Sequence, residues 1–131
     1  MDLWKIWNDY RINRLVTFFW FLIITFLTLS PDIKTPCIVS WQDKIEHIVA
    51  FAVFALFICR SFNPNTKYRP MERILIAMVI VTIYGAIDET MQGFVPSRDA
   101  SIWDLSADIF GAFLGGIFFL YIPFLNNINK E

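Results

Sequence analysis

Residues 83–92 read IYGAIDETMQ. Asp88, Glu89 and Gln92 close a run, Ile74 to Ile87, in which almost nothing is polar. In water such a run would end up buried and its acids solvated. What surrounds the run therefore decides the fold.

Composition answers first. The chain has 131 residues, 56% of them hydrophobic and 18% aromatic, including 14 Phe and 5 Trp. Mean hydropathy is +0.52. A soluble domain of this length leaves too much surface exposed to hide that many apolar groups. A bilayer as solvent is the simpler reading. The net charge of −1 gives no basic surface for nucleic acid. No internal repeat or low-complexity tract divides the chain, so residues 1–131 read as one membrane domain.

Four apolar segments follow, at about 15–30, 45–62, 73–92 and 102–125, each bounded by turn or charge signals such as Ser30-Pro31 and Asn63-Pro64-Asn65. The expected fold is all-α: a polytopic membrane protein with four transmembrane helices in a compact bundle. The first segment also has the basic flank of a signal peptide, but Thr28-Leu29-Ser30 before Pro31 is a poor cleavage site. Leu3, Trp4 and Trp7 sit at helical spacing and suggest a short interfacial helix ahead of the first span. With the N-terminus inside, the cytoplasmic segments carry eight Lys and Arg and the outer ones three. The bias places both termini in the cytoplasm of a multi-pass protein of the plasma (inner) membrane, with short outer loops at 31–44 and 93–101.

The polar residues then gather toward the outer ends of the last three helices. At about 1.5 Å per residue, Glu89 stands roughly 24 Å above Arg73, inside a hydrocarbon core about 30 Å thick. An ionisable group facing lipid at that depth costs at least about 2–3 kcal/mol. These groups must therefore face one another or a wet cavity. Their spacing agrees. Asp43 and His47 are four apart, as are Tyr84 and Asp88, and Asp88 and Gln92. On the fourth helix Ser101, Asp104, Asp108, Gly111 and Gly115 fall on one stripe, and Gly111 and Gly115 form a small-residue packing face.

The blocks DKIEHIVAF (43–51) and YGAIDETMQGFVPSRDASIWDLSADIFGAFLG (84–115) resemble the VanZ-like family of small bacterial membrane proteins, whose founding member is associated with resistance to teicoplanin. The family pattern falls on Asp43, Lys44, His47, Glu89, Gln92, Arg98, Ser101 and Asp104. Asp108 stands where the family pattern has Asn. The resemblance implies the helical membrane fold.

Each polar residue has two readings. His47 is a proton carrier, a ligand or a packing residue; Asp43, one turn before it, is placed to orient it. A metal would want His47 with two or more of Asp43, Glu89, Asp104 and Asp108, but no second histidine and no cysteine pair accompanies them, so no metal or cofactor is expected. Arg98 suits phosphate or carboxylate, or an ion pair with Glu89 or Asp104. Asp104 and Asp108 share a proton, or one caps the fourth helix while the other crosses to Lys44 or His47. Tyr84 faces the polar end. Cys37 and Cys59 fall near opposite faces of the membrane, too far apart for a disulfide.

The expected function is that of an envelope protein whose outer-leaflet pocket binds or shields an anionic group, such as a lipid-linked cell-wall precursor or another anionic lipid head group, with a link to glycopeptide antibiotic resistance. Lys44 and Arg98 would attract the head group, and Glu89 and Gln92 would fix the hydrogen-bond geometry. The alternatives are a membrane enzyme acting on a lipid or phosphate ester, and a proton-linked transporter or flippase. The segment PSRDASIWDLSAD invites comparison with lipid phosphatases, but Asp104 occupies the position of their histidine.

Overall fold

The computed structural model describes residues 7–30, 41–96 and 98–128, with side chains through residue 122. Every regular element in these residues is helical. The order is α1 (Tyr10–Leu29), α2 (Gln42–Arg60), α3 (Pro70–Gln92) and α4 (Ile102–Ile128). The boundaries lie within five residues of those expected from sequence, and they have local causes. The Asp9 side chain accepts the Arg11 N–H at 2.8 Å and starts α1. Pro70 opens α3, where it needs no amide proton, and the Arg69 N–H donates to Glu72 Oε2 at 2.8 Å. Of the N-terminal residues read as an interfacial helix, Leu3 and Trp4 lie outside the described residues. Trp7 lies beneath the Arg60 guanidinium, 4.1 Å from its ring centroid, and meets Phe57 edge-on.

Three helices, α1, α3 and the stretch Ile102–Ile122 of α4, are long and apolar enough to cross a membrane. Their outward faces agree. Phe18, Phe19 and Phe26 on α1, Leu75 and Val79 on α3, and Phe110 and Phe118 on α4 are exposed. A soluble monomer rarely leaves so continuous an apolar surface in water. Helix α2 differs, with Asp43, Lys44, Glu46 and Arg60 among its 19 residues. It is also the most enclosed helix, with Phe51, Phe54, Ala55, Leu56, Ile58 and Cys59 buried. Only Arg60 of these charges is buried; Asp43 and Glu46 are exposed, and α2 falls short of the combined length and apolarity of a span that sequence reading expected for it.

Helix α4 packs most extensively on α2 and next on α3. Glycine makes the first contact possible. A Cβ on Gly111 would collide with the Ile48 carbonyl, and one on Gly115 with the Ala52 carbonyl, so α4 rests on the backbone of α2. Helix α1 closes the bundle: Trp20 Nε1 donates to the Ala50 carbonyl at 2.9 Å, and Thr25 Oγ1 lies 2.9 Å from Tyr84 Oη. It is part of the core, with Ile24 buried among Phe51, Phe54 and Val81. Cys59 is buried at the other end of α2, and Cys37 lies outside the described residues.

Candidate functional site

One end of the bundle collects the C-terminal turns of α1 and α3 and the N-terminal turns of α2 and α4. Here the close approach of α4 to α2 has its chemical consequence. One turn before Gly111, Asp108 Oδ1 lies 2.8 Å from His47 Nδ1. Asp108 is fully buried and His47 nearly so. A second glycine shapes the spot: a Cβ on Gly85 of α3 would stand 2.9 Å from Asp108 Oδ2. That oxygen is buried without a hydrogen-bond partner among the described residues.

A second cross-helix pair lies one turn nearer the helix start. Lys44 Nζ forms an ion pair with Asp104, which is buried, while also reaching the exposed Asp43 at 3.0 Å. A third link joins α3 to α4. Glu89 Oε2 accepts the backbone N–H of Ser101 at 2.7 Å. The Ser101 Oγ in turn accepts the Asp104 N–H at 3.4 Å, so Ser101 caps α4 while Glu89 satisfies the cap residue's own amide. Behind these, Asp88 Oδ1 accepts Thr28 Oγ1–H and Asp88 Oδ2 accepts the Gln92 amide, each at 2.8 Å. The Gln92 amide also leans toward Glu89 Oε1, at 3.5 Å. The floor is aromatic: His47 stacks on Phe51 at 6.1 Å with the planes 4° apart, and Phe51 stacks on Tyr84.

The structure brings His47, Glu89, Gln92, Ser101, Asp104 and Asp108 together, with Lys44 beside them. Several expected pairings change. Asp43 does not orient His47; it is exposed and bonded to Lys44, and Asp108 takes that role. Of the two readings of Asp104 and Asp108, the crossing one holds, and for both: Asp104 pairs with Lys44 and Asp108 with His47, rather than the two sharing a proton. Glu89 and Asp104 go to Ser101 and Lys44 instead of the expected Arg98, whose Nη2 donates to the carbonyls of Leu27 at 3.3 Å and Ser30 at 3.5 Å. Tyr84 belongs to the floor, bonded to Thr25. Asp88 and Thr28 were missed as site residues. Asp88 was legible, being four residues from both Tyr84 and Gln92. Thr28 carried no signal, since a threonine near the end of an apolar helix ordinarily bonds its own backbone, as this one also does to Ile24.

Chemically, the arrangement offers a histidine oriented by a buried carboxylate, a half-exposed ammonium, and carboxylates from two helices facing one small space. Such pairs hold a general base in position, bind polar head groups, or ligate a cation.

The family model described as VanZ/LLP1 matches residues 3–125, nearly the whole chain. No curated protein matches the chain, and no solved structure does.

Proposed function

The chain belongs to the VanZ/LLP1 family, and we propose that it is a multi-pass protein of the bacterial plasma membrane that holds the head group of an anionic envelope lipid at the outer end of its bundle. The lysine and arginine bias supports this orientation, with both termini inside. The observation that carries the reading is the layering of charge. Lys44 is half-exposed at the rim. Arg98 stands at the end of α1. Beneath them Glu89, Gln92 and Asp104 supply buried acceptors. A lipid-linked precursor fits both layers: its phosphate meets the cations, and its hydroxyl or amide groups donate to the acceptors. Occupying such a lipid is also how the family's link to glycopeptide resistance would act in this chain.

Native mass spectrometry of the full chain released from bacterial membranes tests the proposal. The wild type retains an anionic envelope lipid enriched over the bulk membrane. Lys44→Gln and Arg98→Gln lose it while remaining folded. Bulk lipid composition in all three contradicts the proposal.

A second reading has its own observation. The His47–Asp108 contact at 2.8 Å has the geometry of an oriented general base. In that reading the same pocket cleaves a phosphate ester, and turnover of the retained lipid by the purified chain separates it from the first.

A further inference from the structure

The buried cluster carries more negative than positive groups. Asp88, Glu89, Asp104 and Asp108 are all buried. Lys44, already shared with the exposed Asp43, pairs with Asp104, and the single histidine with Asp108, while Arg98 donates to the carbonyls of Leu27 and Ser30. Buried charges are costly unless paired, so an excess of carboxylates is relieved by protonation or by a further cation. One subset has the form of a ligand shell. A ring nitrogen of His47 and carboxylate oxygens of Glu89 and Asp104 lie within 4.8 Å of one another, and all three residues are buried. They come from α2, α3 and α4, the way bundle proteins assemble metal sites from facing helices.

We propose that His47, Glu89 and Asp104 bind one divalent transition-metal cation, with Asp108 as the positioning residue behind His47. This inference rests on the cluster itself and not on the head-group reading. One imidazole and two carboxylates suit zinc or manganese rather than the all-oxygen shells of calcium and magnesium. Nδ1 of His47 is held by Asp108, so Nε2 is the nitrogen that would ligate a metal; a carboxylate behind a ligating histidine is the usual supporting arrangement. Ligand atoms about 2.1 Å from one ion are at most about 4.2 Å apart, so the set closes by up to about 0.6 Å on binding. Lys44 is the competitor, since its ammonium sits on the Asp104 carboxylate that the metal would use. A bound ion would displace it toward Asp43. Three protein ligands leave open positions on the ion, where water or a phosphate oxygen would complete the shell.

The test uses the untagged full chain in detergent micelles, titrated with Mn²⁺ alone and followed by electron paramagnetic resonance with electron spin echo modulation. His47 is the only histidine in the chain, so imidazole nitrogen modulation identifies it without mutagenesis. The expected result is one Mn²⁺ per chain with imidazole modulation that changes when the protein is grown on ¹⁵N-histidine, and displacement by one equivalent of Zn²⁺. Asp108→Asn weakens binding by about 10–100-fold, and Lys44→Met tightens it. Binding well below one ion per chain, or a bound ion without imidazole modulation, overturns the proposal, as does weaker binding in Lys44→Met. Lipid retention without metal binding would sink this inference and leave the head-group reading standing; the reverse outcome would do the opposite.

Discussion

Asp108 Oδ1 meets His47 Nδ1 at 2.8 Å, across 61 residues of sequence, because Gly111 lets α4 lie directly on the backbone of α2. Packing and polar chemistry are thus coupled along one face of α4. Below, small residues set the distance between the helices. Above, that distance puts a carboxylate on the histidine.

The coupling predicts that Gly111→Leu acts at both levels. A side chain there collides with the Ile48 carbonyl and forces the helices apart. Overpacking of this kind costs about 1–3 kcal/mol. Thermal unfolding in detergent should show the loss, and the His47–Asp108 contact should be lost with it. Wild-type stability in Gly111→Leu would mean that α4 does not rest on α2 as described.

The partner of His47 can be read directly. With a single histidine in the chain, ¹⁵N resonances of the imidazole report the hydrogen bond at Nδ1. Asp108→Asn should shift them; Asp43→Asn should not, because Asp43 is exposed and bonded to Lys44. The opposite pattern would restore the pairing expected from sequence spacing.

That expectation shows where sequence reading stops. Helix number, approximate boundaries and the polar face of α4 were legible, because hydrophobic run length and the spacing of Asp104, Asp108, Gly111 and Gly115 are properties of single helices. The partners were legible only as alternatives: a crossing from Asp104 or Asp108 to Lys44 or His47 stood beside a shared proton, and nothing in the spacing chose between them. Spacing sees neighbours on the same helix, so Asp43 looked like the companion of His47, four residues away. The actual companion comes from α4, and its approach depends on the absence of a side chain at Gly111, which has no charge pattern to betray it. Glu89 was misread for a similar reason. A carboxylate near Arg98 suggests an ion pair, but the unsatisfied amide at the start of α4 lies closer to it and takes the bond at 2.7 Å.

The Glu89–Ser101 bond gives a graded prediction. Glu89→Ala leaves a part-buried N–H without an acceptor, at a cost of about 1–3 kcal/mol. Glu89→Gln keeps a carbonyl oxygen for that amide and should lose less than half as much. Thermal melts of the two variants measure the difference. Equal losses would mean that charge, and not the hydrogen bond to Ser101, is what Glu89 contributes.

Asp88 makes the same kind of contact between α3 and α1. Thr28→Val should cost about 0.6–2 kcal/mol, the range for one hydrogen bond between membrane helices. Asp88→Ala should cost more, since it removes the acceptor at 2.8 Å of Gln92 as well as the cross-helix bond from Thr28. A thermal melt in which Thr28→Val is the worse of the two would contradict this placement.

The central claim is that the polar end of the bundle faces outward, where envelope lipids can reach it. Single cysteines at Asp99 and Asn65, both exposed in the structure, test it most directly when placed in a chain with Cys37→Ala and Cys59→Ala. In intact cells a membrane-impermeant maleimide should label position 99 and leave position 65 unlabelled until the membrane is opened. Labelling at position 65 with protection at 99 would put the cluster on the cytoplasmic side and contradict the account.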